Sequence, residues 1–392
     1  MTERAIALIS AEYPPTPGGV GDYTACLAAA LARAGRAVHV ITSRGPAAPA
    51  VRAPGPIVHR VVSGWGWGCG PEIRRVLAAV RPGVAVIEYQ TGAYRLHGAI
   101  NLLPWRLRRL PLAWVTTFHD LREPYLFPKA GPLRRGANAA LMRACQAIVV
   151  TNPQDEAALP GWAHARAVGI PIGANLAPAL PPSWNRAAHR AAVGAGPATT
   201  LIVYFGFFNA SKGLEILLAA LTTLRAEGEY VLLLAGGGAG ASDPTNAQVA
   251  ARLHAQIAAQ GLQAAVHWTG YVPPEAVSAA LLSADLAALP FQDGASLRRG
   301  SLLAVLAHGV PVVTTTPAPV PATASRWPAL GDGANALLVP PDDAAALAGA
   351  IRRLAHDPAL RARLHTGALA LAAEFDWDAI AARHLALFAG VG

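Results

Sequence analysis

Short runs rich in β-branched residues alternate with helical or loop-like segments along most of the 392-residue chain. This alternation constrains the fold more than any other feature, because a strand, a crossover segment and a second strand together build a parallel sheet. In the first half the strand-like runs are 5–10, 37–42, 84–89, 112–118 and 147–151, with helices predicted over 23–34 and 74–80. The first half is therefore predicted to be a parallel α/β domain.

A proline-rich stretch interrupts the alternation between residues 171 and 182, where the chain can continue neither a helix nor a strand. The alternation then resumes, with strands predicted at 201–205, 230–235, 265–269, 286–289 and 310–314 and helices at 214–224, 248–259, 275–283, 302–307 and 342–354. We therefore expect two doubly wound, Rossmann-like α/β domains facing a cleft, with a nucleotide-bearing ligand at the carboxyl ends of the strands. The predicted bounds are 1–172 for the first domain, 173–198 for a linker, 199–372 for the second domain, and 373–392 for a final helix that crosses back to the first.

The composition excludes several classes of protein. Hydrophobic residues make up 53% of the chain and charged residues 14%, which excludes an intrinsically disordered chain. The apolar runs are too short to span a bilayer, and the first residues lack a signal-peptide pattern, so a cytoplasmic location is predicted. The three cysteines are far apart, which supports neither a disulfide framework nor a structural metal, and no cofactor or metal is expected.

Basic residues are concentrated in the first half of the chain. Residues 1–195 hold 21 basic and 9 acidic side chains, a net charge of +12. Nucleic acid is the weakest explanation, because no nucleic-acid motif spaces these arginines. The segment 105–110, with Arg134 and Arg135, has two interpretations. It could contact an anionic membrane and an anionic or lipid-linked acceptor, or it could be an ordinary solvated helix.

Three loops that follow predicted strands carry residues suited to an anion. Gly18 and Gly19 precede a helix predicted to begin near Asp22, in a loop that is equally typical of a structural turn. Lys212 stands before the helix at 214–224, where a lysine opposes the helix dipole. Its presence indicates either a bound anion or a solvated surface lysine. Residues 295–299 end on Arg298 and Arg299 just before a buried helix, which suits a phosphate group unless these arginines belong to a solvated loop.

The order and spacing of these segments resemble the retaining nucleotide-sugar glycosyltransferases of the GT-B fold, specifically glycosyltransferase family four. The resemblance spans nearly the whole chain. It is carried by the loop 14–21, Thr116–Asp120, Gly206–Gly213, Leu234–Gly238, His267–Tyr271, Ala307–Val313 and Phe375–Trp377.

The resemblance implies roles for individual residues. His119 would lie by the donor sugar, with Asp120 beside it as the second candidate catalytic residue, although a histidine before an aspartate is also typical of a structural hydrogen bond. Gly18, Gly19 and Lys212 would approach the diphosphate. The remaining candidates are Ser296, Leu297, Arg298 and Arg299 for the donor phosphates, and Gly237, Tyr271 and Val272 for the nucleotide base.

The chain also departs from the family pattern at three positions. Phe207 stands where the family has an arginine, and Ser296 and Ala304 stand where it has two glutamates. Alanine cannot accept a hydrogen bond from a ribose hydroxyl. We hypothesise that Arg298 and Arg299 supply the positive charge that Phe207 does not.

The predicted function is metal-independent, retaining transfer of a sugar from a nucleoside diphosphate sugar to a glycan, lipid-linked or small-molecule acceptor. Such an enzyme would act in cell-envelope polysaccharide biosynthesis, in the cytoplasm or at the inner face of the cell membrane. The alternative is a degenerate GT-B protein that binds a nucleotide or glycan without turnover. A GT-B sugar-nucleotide epimerase is less favoured, because it would be expected to carry more carboxylates and histidines in the cleft.

Overall fold

The computed structural model describes residues 4–16, 18–46, 54–121, 131–208, 210–237, 245–319 and 327–391. These residues form two compact units. The first unit takes its residues from Met1–Gly173, Val320–Trp327 and Phe375–Gly392, and the second from Ala174–Pro319 and Pro328–Glu374. Each unit is an α/β fold built on a parallel sheet, as predicted.

The first unit has a seven-stranded sheet. Its strands are β1 Ile6–Ile9, β2 Val38–Ser43, β3 Ile57–Val62, β4 Val84–Tyr89, β5 Ala113–Phe118, β6 Ala147–Val150 and β7 Ala167–Gly169, in the spatial order β3-β2-β1-β4-β5-β6-β7. Its helices before the second unit begins are α1 Gly19–Arg33, α2 Cys69–Val80, α3 Leu103–Arg106, α4 Gly131–Ala144 and α5 Pro153–Ala157. The strand order reverses direction between β1 and β4, and in open α/β sheets this is where ligands bind.

Alternating side chains of each strand form a separate core on each face of this sheet. Ile6 and Leu8 point to a cluster with residues of α1, whereas Ala7 and Ile9 point to a cluster with residues of α2 and α4. Successive side chains of a strand point to opposite faces of the sheet, so a strand that is buried on both faces contributes to both cores. It also explains why the strands read as continuous apolar runs.

The second unit has a six-stranded parallel sheet. Its strands are β8 Thr200–Phe205, β9 Tyr230–Ala235, β10 Val266–Gly270, β11 Leu286–Leu289, β12 Val312–Thr315 and β13 Leu337–Val339, in the spatial order β10-β9-β8-β11-β12-β13. Its helices are α6 Arg186–Ala192, α7 Leu214–Arg225, α8 Thr245–Ala259, α9 Pro274–Ser283, α10 Gly300–Ala307, α11 Ala344–His356 and α12 Pro358–Ala373. The order reverses between β8 and β11, the same pattern as in the first unit.

The segment predicted as a linker, 173–198, packs within the second unit from residue 174 onward and contains α6. Arg190 of this helix is buried, and its guanidinium donates to Asp285 Oδ2 over 2.8 Å and to the Thr199 carbonyl over 2.6 Å. The exact bounds predicted for the two domains, the linker and the final helix remain predictions.

A final helix, α13 Trp377–Val391, packs on the first unit. Ile380, Ala381 and Phe388 join the cluster that contains α1, and Arg33 of α1 donates to Asp378 over 2.6 Å. Among the described residues, none of the helices has the length and apolar character needed to cross a bilayer.

Candidate functional site

Four loops follow the strands of the second sheet and are joined by backbone hydrogen bonds. The amide of Gly237, after β9, donates to the carbonyl of Gly206, after β8, over 3.1 Å. Gly236 forms an isolated bridge with Gly270 at the end of β10, and the amide of Gln292, after β11, donates to Ser211 over 3.0 Å. The sequence motifs after these four strands thus lie along one edge of the sheet.

Gly213 shows why this edge needs glycine. It precedes α7 with a φ of 66°, in the left-handed region. A Cβ there would overlap the carbonyl oxygen of Pro290, which follows β11. The absence of a side chain therefore lets the loops after β8 and β11 meet beside Lys212.

Two cations from these loops lie against one buried aromatic ring. The Lys212 ammonium lies 4.9 Å from the centre of the Phe291 ring, and the Arg299 guanidinium carbon lies 4.2 Å from the same centre. Lys212 ends a 3-10 turn just before α7, and Arg299 is the residue before α10. Both cations thus stand at helix N-termini, where the helix dipole already favours an anion.

The electrostatics of this cluster are unfavourable to Lys212 in the absence of an anion. Burial of the ammonium, followed by the nearby charge of Arg299, lowers the pKa of Lys212 to about 8, while Asp293 acts in the opposite direction. Asp293 forms an ion pair with Arg299. Glu215, in the first turn of α7, forms an ion pair with Arg252 instead.

Two buried polar atoms at the same place have no hydrogen-bond partner among the described residues. They are Nε of Arg299 and Oγ of Ser301 in the first turn of α10. A Cβ on Gly206 would lie 3.5 Å from the Ser301 Cβ, so this serine lies close to the loop after β8. Because buried polar groups in proteins are normally paired, both atoms are available to a further hydrogen-bond partner. We name Lys212, Arg299 and Ser301 the anion cluster.

The other predicted donor residues lie along the same edge in different environments. Ser296 and Leu297 are partly buried, and Ser296 Oγ accepts a hydrogen bond from the Arg298 amide over 3.3 Å. Gly237 is buried with a φ of 84°, and a side chain there would overlap the Phe208 ring. Tyr271 is 84% exposed, and Val272 is partly buried.

The three departures from the family pattern have different surroundings. Phe207 is 54% exposed, and its carbonyl accepts the Tyr204 hydroxyl over 3.1 Å. Ala304 is buried in α10, and its carbonyl accepts His308 Nδ1 over 2.7 Å. Arg299 shares the Phe291 ring with Lys212, which follows β8, whereas the alanine at 304 has no side-chain hydrogen-bond acceptor.

In the first unit, the predicted glycine loop lies between β1 and α1. The helix begins at Gly19 rather than near Asp22, and no side chain caps it. Gly18 faces the Glu12 carboxylate, whereas a Cβ on Gly19 would meet no described atom within 4 Å. Pro17 lies outside the described residues. The uncapped helix end and the open space at Gly19 are features that suit the approach of an anionic ligand.

His119 follows β5 and lies in a buried polar network. Its Nε2 is 2.9 Å from Oε2 of Glu88, which is fully buried near the end of β4. The ring of Tyr23, from α1, makes an edge contact with the imidazole at 4.5 Å between centroids. Asp120, the next residue, is partly exposed. Burial raises the pKa of Glu12, whereas its hydrogen bond with the Gly21 amide and the nearby His119 act in the opposite direction.

The final helix contributes to the same network. The Tyr23 hydroxyl lies 3.1 Å from His384 Nε2, and Trp377 packs on the Tyr23 ring at 5.2 Å between centroids. Burial, followed by the nearby charge of His119, lowers the pKa of His384 to about 3. Burial, followed by the charge of Glu88, raises the pKa of Tyr23 well above its usual value.

Several of these residues were not singled out from the sequence, namely Glu12, Tyr23, Glu88, Phe291, Ser301 and His384. Glu88 did carry a signal, since it is the one charged residue in the run Val84–Tyr89. The others resemble ordinary helix or loop residues. Within the described ranges, no group of three histidine, cysteine, aspartate or glutamate side chains is placed to hold a metal ion.

Two family models match the chain. Residues 18–175 match the "Glycosyl transferase 4-like domain" and residues 199–357 match "Glycosyl transferases group 1". Together these matches cover most of both units.

Curated relatives and solved structures agree with these matches. The D-inositol 3-phosphate glycosyltransferase of Nocardia farcinica is 28% identical, covering 92% of this chain and 82% of that protein. The enzyme of the same name from Acidothermus cellulolyticus is also 28% identical, covering 96% and 88%. Sucrose-phosphate synthase from Thermosynechococcus elongatus superposes with a TM-score of 0.71 at 23% identity, covering 99% of each chain. HepE from Anabaena, in complex with UDP, superposes with a TM-score of 0.73 at 18% identity, covering 98% of this chain and all of that one.

The two parallel sheets, their shared strand order and the two family models confirm the fold class and the resemblance inferred from the sequence. The chain therefore belongs to the group 1 glycosyltransferases, of the family-four type and with the GT-B fold, and it is a glycosyl-transferring enzyme.

Proposed function

We propose that the enzyme transfers a sugar from a nucleoside diphosphate sugar whose diphosphate binds the anion cluster. The observation that carries this proposal is that Lys212 and Arg299 share the Phe291 ring at the N-termini of α7 and α10. Two cations this close repel each other, and a bound diphosphate would relieve the repulsion. Arg299 Nε and Ser301 Oγ would then complete their hydrogen bonds on phosphate oxygens.

The same arrangement suits the chemistry of glycosyl transfer. When the bond to the donor phosphate breaks, positive charge develops at the anomeric carbon and negative charge on the departing phosphate. Cations and helix ends fixed at that phosphate stabilise the transition state more than the ground state. We extend the proposal to a metal-independent reaction with retention of configuration, on the strength of the family resemblance.

Binding is tested first by thermal shift with a panel of nucleoside diphosphates and nucleotide sugars, on the wild type and on Lys212→Ala. A ligand that binds the native state raises the melting temperature. We expect one base to raise it in the wild type and not in the variant, and neutralising Arg298 to weaken the same binding. A panel without any shift in the wild type would contradict the donor site.

Turnover is tested with the donor so identified. Release of the nucleoside diphosphate and a glycosylated product support transfer, and the configuration of that product decides between retention and inversion. Unchanged activity after treatment with EDTA would support metal independence. Binding without any turnover would instead support the alternative of a degenerate GT-B protein.

For the acceptor, we propose a polar molecule with an anionic group that binds the first unit. A cavity of about 260 Å³ lies at the end of β4, lined by Tyr89, Asn101 and Arg134 among others. The net positive charge of the first 195 residues and the names of the two curated relatives support this choice. Arg134→Ala is expected to raise KM for the acceptor and leave KM for the donor unchanged, with Arg135→Ala as the matched control.

We also propose peripheral contact with an anionic membrane, in the synthesis of cell-envelope polysaccharide. Trp105 and Leu133 are exposed, and so are Arg106, Arg108 and Arg109. Cations beside exposed apolar side chains are suited to a charged lipid surface. Liposomes that contain anionic lipid should retain the protein at low salt, and failure to retain it would contradict this contact.

A further inference from the structure

A second cavity, of about 590 Å³, lies in the second unit at the edge where the strands of its sheet begin. Thr200 is the first residue of β8 and Asp285 directly precedes β11, and both residues line the cavity. Lys212 and Arg299 of the anion cluster follow the opposite ends of the same two strands. A six-residue strand such as β8 is about 20 Å long, so the two places are separate. We name this cavity the amino-edge cavity.

The lining of the amino-edge cavity carries more positive than negative charge. Three arginines line it, Arg186, Arg190 and Arg361, and Asp285 is the one acidic residue among its described lining. Asp285 is 2.9 Å from Arg186 and 2.8 Å from Arg190, so two guanidinium groups share one carboxylate. Two positive charges are therefore uncompensated, before His356 at the end of α11 is considered.

Arg190 fixes the base of the amino-edge cavity. It is buried, and both of its terminal nitrogens are used within the protein. Nη1 donates to Asp285 and to the Ser283 carbonyl, and Nη2 donates to the carbonyls of Gly196 and Thr199. Arg190 thus holds the loop before β8 and the carboxylate before β11, and it has little capacity left for a ligand.

Arg186 and Arg361, in contrast, are each anchored through one nitrogen only. Nη2 of Arg186 donates to Asp285 and to the Ala284 carbonyl. Nη1 of Arg361 donates to the last carbonyls of α11, at Leu354 over 2.7 Å and at Ala355 over 2.6 Å. These carbonyls carry about half a negative charge, which offsets Arg361 only in part. Nε and the second terminal nitrogen of each arginine have no partner among the described residues, so both side chains keep oriented donors for a ligand.

The amino-edge cavity also has room for more than a single ion. Its volume lies within the range of pockets that bind small molecules. The remaining walls are made mainly of small side chains, which leave the space beside the arginines open: Ala187, Ala191, Ala195, Gly196, Pro197 and Ala198.

We propose that the amino-edge cavity binds a phosphate dianion, supplied by inorganic phosphate or by a small phosphate monoester, through the unused donors of Arg186 and Arg361. The fork of a guanidinium matches the geometry of phosphate oxygens. A phosphate monoester carries close to two negative charges at neutral pH, which corresponds to the two uncompensated charges of the lining. This site lies outside the proposed donor site and does not depend on it.

Isothermal titration calorimetry of the full chain tests the proposal with two probes, inorganic phosphate and glucose 6-phosphate, and with glucose as the uncharged control. The titrations are made on the wild type and on Arg299→Gln, which weakens the anion cluster. We expect both probes to bind in Arg299→Gln, and glucose not to bind. Tighter binding of glucose 6-phosphate assigns the cavity to a phosphate monoester, and equal binding assigns it to inorganic phosphate. Loss of binding in Arg299→Gln would place the phosphate at the anion cluster and overturn the proposal.

Variants of the lining locate the site. Arg186→Gln and Arg361→Gln should each raise Kd for the tighter probe by at least about tenfold, through the loss of a charge-assisted contact. Arg363→Gln is the matched control, because Arg363 is also on α12 and donates to a carbonyl, that of Gly333 over 2.9 Å, but does not line the cavity. Its Kd should change by less than about twofold.

A further variant keeps every contact of the two arginines. Ala198 is exposed in the loop that lines the cavity, so Ala198→Glu adds a carboxylate there without removing a hydrogen bond of Arg186 or Arg361. We expect it to abolish phosphate binding while urea unfolding stays as in the wild type, since like charges repel. An unchanged Kd in Ala198→Glu, or in both arginine variants, would overturn the proposal, and so would the absence of binding by both probes in the wild type.

Discussion

The lowered pKa of Lys212 predicts that donor binding weakens as the pH rises above neutrality. In the free protein, burial and the charge of Arg299 bring this pKa to about 8. A bound diphosphate favours the charged ammonium, so only the protonated form binds well. With this pKa, about nine in ten Lys212 side chains are protonated at pH 7 and about one in ten at pH 9.

The expected change in affinity follows from these populations. An apparent dissociation constant rises in inverse proportion to the competent fraction, so Kd for the nucleoside diphosphate should increase about tenfold from pH 7 to pH 9. This is about 1.4 kcal/mol of binding free energy. The arginines keep their charge throughout this range, as do the phosphates of the ligand.

Isothermal titration calorimetry at pH 7, 8 and 9 measures this change directly. Lys212→Arg is the control, because a guanidinium stays protonated and its Kd should vary by less than about twofold over the same range. A wild-type Kd that is independent of pH would refute the reasoning. So would an equal tenfold change in Lys212→Arg, since another group would then be titrating.

Three further changes have defined outcomes. Gly213→Ala should lower the free energy of unfolding by at least about 3 kcal/mol, because its Cβ would overlap the Pro290 carbonyl. The control is Gly261→Ala, at a φ of 67° with open space around it, which should lower the free energy of unfolding by only about 1 kcal/mol. Urea unfolding measures both, and equal losses would show that the overlap does not matter. Arg299→Gln should weaken diphosphate binding by at least about tenfold at every pH, through the loss of charge-assisted hydrogen bonds; calorimetry that finds less than a twofold change would exclude Arg299 from the site. The pKa of His384 lies at about 3 in the folded protein and at about 6.5 when unfolded, so protons bind preferentially to the unfolded chain and stability falls as the pH drops through this window. From pH 7 to pH 5 the wild type should lose about 2 kcal/mol more than His384→Gln in urea unfolding, and parallel losses would argue against the lowered pKa.

The architecture could be predicted from the sequence because buried parallel strands are continuous apolar runs. The strands that were missed lack this pattern. In β3 the run is broken by His59 and Arg60, which an edge strand tolerates, and β7 and β13 have only three residues each. The helix predicted at 342–354 begins two residues later, at Ala344, where the Asp343 carboxylate caps it by accepting the Ala346 amide over 2.8 Å.

The candidate site was only partly predictable. Lys212 and Arg299 stand beside helix starts, and such positions can be read from a sequence. The two cations meet on Phe291 because the loops after β8 and β11 fold against each other. No local sequence pattern predicts this contact between the two loops. The Glu88–His119 pair likewise depends on the register between β4 and β5, which joins residues 31 positions apart. His384 is brought to Tyr23 from 361 positions away.

The position of α13 has a consequence for how the enzyme is made. The helix that completes the core of the first unit is translated roughly 200 residues after Gly173, the last residue of the main part of that unit. At translation rates of about 5 to 20 residues per second, the newly made first unit waits about 10 to 40 s for it. During this time the apolar surface that Ile380 and Phe388 later cover is exposed on the ribosome. The nascent chain therefore passes through a stage in which it is a natural client for chaperones, and a fragment ending at residue 173 is expected to aggregate.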